Sequence, residues 1–143
     1  MIDLHSEPTK LPRRWIQTGF LAIAVLFNFC LIAQLLTVGL AVFDDPTWWQ
    51  IHVLLVRGYS GLVILLVVGL FINPFPQKIK MLTAGLVILL TLQFITGHLN
   101  QLLHLGILHP LFGFLLFTSS TTLVHKSWHE VFERSDAVGQ QKM

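Results

Sequence analysis

Charged side chains are scarce in this chain of 143 residues. They make up 11% of the sequence, less than half of the roughly 25% that soluble domains carry. Hydrophobic residues make up 54%, and the mean hydropathy is +0.72. This composition excludes a soluble enzyme and an intrinsically disordered chain, because too few polar groups are available to face water. The outer surface is therefore expected to face lipid.

Cysteine occurs once, at Cys30, inside an apolar run. A single cysteine excludes an internal disulfide, a thiolate metal cage and a covalent haem-attachment motif. A cleaved signal peptide is disfavoured, because acidic residues and a proline precede the first apolar run, which is too long and lacks a small-residue cleavage site. We expect the first apolar run to remain in the mature protein, with Cys30 as a small buried residue.

Long apolar runs occur four times, and each has about the 20 residues that a helix needs to cross a membrane. They predict an all-α fold, an antiparallel four-helix transmembrane bundle that forms a single domain over residues 1–143. The expected spans are about 15–43, 48–72, 81–99 and 104–125, followed by a polar tail at 126–143 with a short amphipathic stretch. No internal repeat is obvious, although the histidine-bearing second and fourth spans occupy equivalent places in two hairpins.

Basic residues are distributed unevenly between the connecting segments. Eight of the nine lysines and arginines flank the apolar runs on one side of the expected bundle: Lys10, Arg13, Arg14, Lys78, Lys80, Lys126, Arg134 and Lys142. By the positive-inside rule, both termini are cytoplasmic, and the protein is expected to be a multi-pass protein of the bacterial inner membrane. The lipid bilayer is then its main environment, and no nucleic-acid partner is expected.

Two histidines are expected at similar depth near the outer face. His52 lies just over one turn into the second span, and His109 lies near the start of the fourth. Two neutral imidazoles on different helices of a bundle are the arrangement that holds a haem iron from both sides. They predict one haem b, with His52 and His109 as its metal ligands. A second haem is not expected, because His125 and His129 have no histidine partner at the inner ends of the other spans.

The remaining polar residues inside the spans are candidates for the same site, because buried polar groups need partners. Gln34 and Gln93 are the strongest, and Gln93 shares a helix stripe with Gly97 and Asn100 that would line a cofactor or quinone cavity. The alternative is that these amides hydrogen-bond between helices. His98 and His104 are expected to be interfacial or helix-pairing groups.

Gly113 and Arg57 complete the candidate set. Gly113 shares the face of His109 and leaves room for a flat ring. Arg57 points about 140° away from the His52 face on an ideal helix. It would therefore reach back to a haem propionate, face a neighbouring subunit or lie in a water-filled notch. The start of the fourth span also stays open: Pro110 is either the first residue of the helix, with His109 just outside, or a kink in a helix that began near Gln101.

Four segments carry a resemblance to known families: LIAQLLTVGLAVF, WWQIHVLLVRGYSG, LQFITGH and LHPLFGFLLF. Together they resemble small four-span bacterial proteins similar to half of haem A synthase and, more distantly, the membrane-bound b-type diheme cytochromes. The resemblance covers the four spans and implies haem ligands on the second and fourth helices, at His52 and His109. Haem A synthase itself has a His-Arg dipeptide, a second bundle, and acidic and cysteine features in an outer loop. These are absent here, so haem A synthesis is not predicted.

The sequence therefore predicts an integral membrane haem b protein with one bis-histidine haem near the outer leaflet, active in electron transfer or quinone-linked redox. It shows no catalytic constellation, so whether the protein is an enzyme stays open. The alternative is a non-catalytic accessory subunit of a larger respiratory or photosynthetic membrane complex. Other membrane subunits or further copies of this chain are the expected protein partners.

Overall fold

Four long α-helices make up the structure, a computed structural model that describes residues 11–98 and 105–140, with side chains described for 14–98 and 105–132. The helices are α1 (Leu11–Phe43), α2 (Trp48–Ile72), α3 (Gln77–His98) and α4 (His109–Gln140), and a 3-10 turn at Leu105–Leu108 precedes α4. All four contain segments long and apolar enough to cross a membrane. The predicted all-α four-helix bundle is confirmed.

Prolines and short polar turns separate the helices. After α1, the amide nitrogens of Asp44 and Asp45 both donate to the carbonyl of Leu40, and the Thr47 amide donates to the Asp45 carboxylate at 2.8 Å before α2 begins. This hydrogen bond lowers the pKa of Asp45. At the end of α2, Asn73 is extended (φ −131°, ψ 137°) because Pro74 follows it and disfavours the helical conformation.

Helix bounds differ from the expected spans in several places. Helix α1 begins at Leu11 rather than near residue 15, and α4 begins at His109 rather than near residue 104. Helix α3 begins at Gln77 rather than near residue 81, directly after Pro76, whose carbonyl accepts the first backbone hydrogen bonds. Helix α4 continues to Gln140 rather than giving way to a polar tail at 126. The side chains of Ser127 and Val131 are buried. They extend the inward-facing stripe of the span by two turns, which explains the longer helix.

The helices pack in chain order around the bundle. Helix α1 contacts α2 and α4, and α3 packs closely against α4 but more loosely against α2, so α2 and α4 lie on a diagonal. We call the end where α1 and α3 finish and α2 and α4 begin the site end. The opposite end is filled by a close-packed core that includes Phe20, Phe27, Leu66, Leu86 and Leu123.

Large apolar side chains cover the outside of the bundle. Leu54, Ile64, Ile88 and Phe114 are each more than 60% exposed, and Phe71 is 87% exposed. In water such a surface would drive aggregation, whereas in a bilayer it contacts acyl chains of the same polarity. The exterior and the four apolar helices together indicate a multi-pass membrane protein surrounded by lipid.

Candidate functional site

His52 and His109 meet inside the bundle near the site end. Their ring centres are 6.5 Å apart, and their ring planes are tilted by 59°. His52 is in the second turn of α2, whereas His109 is the first residue of α4, with Pro110 in the first turn. Proline is tolerated there because the first helical amides have no intrahelical partner. Of the two starts considered for the fourth span, the structure therefore has the one set by Pro110.

The imidazole of His52 is held by two residues of α1. The Thr37 hydroxyl lies 3.2 Å from His52 Nδ1 and donates its own proton to the Gln34 carbonyl at 2.7 Å. The Gln34 amide nitrogen lies 2.9 Å from His52 Nε2 and donates to the His52 carbonyl at 3.1 Å. Because the threonine proton is already used, its oxygen accepts from Nδ1–H, and Nε2 presents its lone pair to the amide.

The imidazole of His109 is held by two residues of α3, both at Nδ1. The Thr96 hydroxyl lies 3.2 Å from His109 Nδ1 and donates to the Leu92 carbonyl at 2.8 Å. With the Gln93 amide oriented to satisfy both of its atoms, its nitrogen donates to the His109 carbonyl at 2.7 Å and lies 3.2 Å from His109 Nδ1, and its oxygen accepts from the Gly113 amide at 3.0 Å. The glutamine of this half therefore contacts Nδ1 of its histidine, whereas Gln34 contacts Nε2 of His52.

The Nε2 atoms of the two histidines differ in their surroundings. Nε2 of His52 accepts the Gln34 amide, whereas Nε2 of His109 forms no hydrogen bond within the described parts of the chain. The Gln34 side-chain oxygen is buried and has no partner among the described atoms. Both imidazoles thus direct Nδ1 at a threonine, and only Nε2 of His52 already has a hydrogen-bond donor.

Two glycines make room for the second half of this network. A Cβ on Gly113 would lie 2.8 Å from the Gln93 amide, closer than side-chain carbons approach. A Cβ on Gly97 would lie 3.6 Å from His109 Cε1, in ordinary van der Waals contact. Gly113 is therefore required for the approach of Gln93, whereas Gly97 only widens the space beside the ring.

The two imidazoles lie in the wall of a cavity of about 550 Å³ lined by all four helices. This volume is within the range of small-molecule and cofactor sites. Most of the lining is apolar, with Leu31, Val56, Leu116 and Phe117 among its members. A mostly apolar wall with a few converging polar groups favours a flat, apolar ligand that is fixed at a small number of points.

All six residues expected from the sequence lie around this cavity: His52, His109, Arg57, Gln34, Gln93 and Gly113. Arg57 is exposed and forms no ion pair within the described chain. His98 also lines the cavity, with Nδ1 bonded to the Phe94 carbonyl of its own helix at 2.9 Å. His104 and Asn100 lie outside the described residues.

Thr37 and Thr96 contact the two histidines of the site and were not expected from the sequence. A signal was present, because each histidine-bearing helix is preceded by a helix with Gln-x-x-Thr, at residues 34–37 and 93–96. The motif is too short to stand out in apolar sequence, and it becomes visible only when both copies are seen to hold a histidine.

Comparison with known proteins covers the middle of the chain. Residues 34–97 match the model of a family of unknown function, DUF6220. The matched segment begins at Gln34 and ends at Gly97, so it contains both Gln-x-x-Thr motifs and His52 but not His109. No curated protein and no solved structure matches the chain. The resemblance to haem A synthase and to b-type cytochromes stays a hypothesis.

Proposed function

We propose that this protein binds a single haem b between His52 and His109 and uses it in electron transfer or quinone-linked redox. The observation that carries the proposal is the state of the two imidazoles. They lie on diagonal helices beside one cavity, and each directs its Nδ1 at a threonine hydroxyl. Metal-binding histidines are characteristically held through their other ring nitrogen in this manner, which orients the ring and raises its basicity.

The spacing of the rings suits one metal between them. An imidazole nitrogen bound at about 2 Å places the ring centre about 3 Å from the metal, so two opposed rings have centres about 6 Å apart. The observed separation is 6.5 Å. The tilt between the ring planes places no constraint on this arrangement, since each ring can rotate about its own metal–nitrogen bond.

Haem binding would require one local change in the protein. Nε2 of His52 would exchange the Gln34 amide for the iron, and Gln34 would keep its second hydrogen bond, to the His52 carbonyl. The unpartnered oxygen of Gln34 means that its present position is not fully satisfied. Releasing this amide is therefore less unfavourable than breaking a complete pair of hydrogen bonds.

Arg57 supplies a positive charge to the cavity wall without an ion-pair partner among the described residues. A guanidinium matches the fork of a carboxylate, so Arg57 is the candidate partner of a haem propionate. A haem with both axial positions filled by histidine supplies one-electron transfer and leaves iron no open position for oxygen. The protein's own part is to hold the ligands, exclude water and compensate charge. A quinone is a second candidate occupant of the same cavity.

The orientation follows from the positive-inside rule. Lys78 and Lys80 lie at the end opposite the cavity, together with Lys126. With that end cytoplasmic, the haem would lie near the outer leaflet of a bacterial inner membrane. Other membrane subunits or further copies of this chain would act as its partners.

A second candidate function is that of a non-catalytic accessory subunit of a larger respiratory or photosynthetic complex. The observation in its favour is the hydrogen bond from Gln34 to His52 Nε2, which fills the position that a metal would take. In that role the two histidine networks would serve only to join the helices.

An absorption spectrum separates the two candidates. Detergent-purified protein is supplied with haem, and the reduced α band and the haem-to-protein ratio are measured. We expect one haem per chain, loss of the band in His52→Ala and in His109→Ala, and retention of the band in His98→Ala, which changes a third histidine of the same cavity. Retention of the full band in either of the first two variants would contradict the ligand assignment. A colourless wild-type protein would favour the accessory role.

A further inference from the structure

We infer that Thr37 and Thr96 are matched positioning residues, one in each half of an internally duplicated site, that hold the two imidazoles at Nδ1, and that Thr37 sets His52 in the Nδ1–H form. The inference rests on the proposed haem site and deepens it. Each half consists of a helix with Gln-x-x-Thr followed by a helix with histidine. The first half is α1 with α2, and the second is α3 with α4.

The hydrogen bonds of the two halves correspond at the threonine hydroxyl and at the backbone carbonyl of the histidine, whereas the glutamine amide contacts Nε2 of His52 but Nδ1 of His109. In each half the threonine hydroxyl lies 3.2 Å from the histidine Nδ1. It also lies within hydrogen-bond distance of the carbonyl of the glutamine three residues earlier, 2.7 Å for Thr37 and 3.2 Å for Thr96. In each half the glutamine amide donates to the backbone carbonyl of the histidine, at 3.1 Å for Gln34 and 2.7 Å for Gln93.

The burial pattern extends the correspondence along whole helices. Counted back from the two glutamines, the same positions of α1 and α3 are buried: Phe20 with Ile79, Ala24 with Thr83, Phe27 with Leu86, and Leu31 with Leu90. Counted forward from the two histidines, the same positions of α2 and α4 are buried: Tyr59 with Leu116, Val63 with Ser120, and Leu66 with Leu123.

Helical periodicity alone does not account for this correspondence. Any two helices that face one core share a period of 3.6 residues, so the buried stripe by itself would be expected. Periodicity does not dictate a glutamine and a threonine at the same register, with the threonine at Nδ1 and the glutamine at the backbone carbonyl of a histidine on the following helix. The duplicated feature is therefore the set of contacts from threonine and glutamine that holds each histidine. This points to the histidines as the groups that the two motifs serve.

The chemical consequence concerns which nitrogen is offered to a ligand. Thr37, whose proton is bound to a backbone carbonyl, can only accept from the imidazole, so it selects the Nδ1–H tautomer of His52 and leaves Nε2 as the lone-pair atom. Valine has the same shape but accepts nothing. It would release the ring to rotate and to adopt the other tautomer.

The test measures the tautomer without haem and the binding of haem separately. ¹⁵N NMR of histidine-labelled protein in detergent reports which ring nitrogen carries the proton. We expect Nδ1–H for His52 in the wild type and loss of this preference in Thr37→Val, and we expect the His109 ring signals to change in Thr96→Val. Thr91→Val is the matched control, because Thr91 lies on α3 but bonds only to its own backbone. Thr37→Ser and Thr96→Ser should restore the wild-type signals.

With haem, we expect each valine variant to bind about 10- to 100-fold more weakly, as loss of a partner of a metal-binding histidine does. The midpoint potential should shift, and the serine variants should recover both values. Wild-type affinity, potential and tautomers in both valine variants would overturn the positioning role. Absence of haem from the wild type would overturn the proposed function alone, and the tautomer measurement would still decide the positioning role. If a valine variant fails to fold, the serine variants decide: loss of the Nδ1–H tautomer at His52 in folded Thr37→Ser would overturn the inference.

Discussion

Replacing Gly113 by alanine tests the packing on which the second half of the site depends. The added Cβ would lie 2.8 Å from the Gln93 amide, whereas the favourable separation is about 3.5 Å or more. The side chain of Gln93 would therefore have to move by nearly 1 Å. That movement breaks its hydrogen bonds to the Gly113 amide and to the His109 carbonyl, which are 3.0 and 2.7 Å long.

The expected loss follows from these two hydrogen bonds. At about 1 kcal/mol each, the loss is about 2 kcal/mol, from which the better helix propensity of alanine recovers at most about 1 kcal/mol. If the loss falls on haem binding, a net 1–2 kcal/mol corresponds to about 5- to 30-fold weaker affinity. Haem titration of the purified variant measures this affinity, and unfolding in SDS measures stability.

Gly61→Ala is the matched control, because a Cβ on Gly61 meets no atom within 4 Å. It adds the same methyl group to the diagonally opposite helix, where it meets no other atom. We expect Gly61→Ala to behave as the wild type in both assays. Equal behaviour of Gly113→Ala and Gly61→Ala would refute the argument that close approach to Gln93 is the reason for glycine at position 113.

Three further substitutions or conditions test the bundle itself. Leu86 has no exposed side chain, so Leu86→Ala should lower the free energy of unfolding by about 2–5 kcal/mol. Ile88 lies on the same helix and is 61% exposed, so Ile88→Ala should lower it by less than about 1 kcal/mol. Equal losses of the two variants in SDS unfolding would contradict the packing described. Asn28→Leu removes the hydrogen bonds from α1 to Ser120 and Thr121 of α4, and should reduce stability by about 1 kcal/mol, with Phe29→Leu as an exposed neighbour that should not. The Thr47 amide lowers the pKa of Asp45 in the folded chain, so the carboxylate stabilises this turn at neutral pH and the stabilisation is lost as the pH falls through the lowered pKa. The NMR signal of the Thr47 amide should therefore stay constant down to about pH 4 and shift only below it. A shift of this signal already at pH 6 would contradict the assigned hydrogen bond.

The fold was predictable because one strong physical signal dominates the sequence. Four apolar runs separated by proline-containing turns allow few arrangements in a membrane, and the bounds of α2 agree with the expected span. The end of α4 was not predictable from mean hydropathy. There the helix continues on Ser127 and Val131, two inward-facing positions in an otherwise polar segment, so the signal is a narrow stripe rather than an apolar run.

The residues of the site were easier to predict from the sequence than the hydrogen bonds between them. His52, His109, Gln34 and Gln93 were expected because buried polar groups are rare in such helices, and they line one cavity in the structure. The pairing of each glutamine with its histidine depends on the rotation and depth of neighbouring helices, which sequence periodicity does not specify. Thr37 was missed for a different reason. A threonine in a membrane helix usually bonds to its own backbone, and here it also contacts the histidine.

The two contacts that join the halves of the bundle are not equivalent, because α2 and α3 pack more loosely than α1 and α4. The corresponding pair, α1 and α4, is closely packed, so we expect a molecule dissolved among the acyl chains to reach the cavity more readily between α2 and α3 than between α1 and α4. Val53 and Arg57 on one side of this gap, with Phe94 on the other, belong to the cavity wall. We expect a bulkier side chain at Val53 to slow the entry of ligand from the bilayer while leaving the equilibrium at the histidines unchanged.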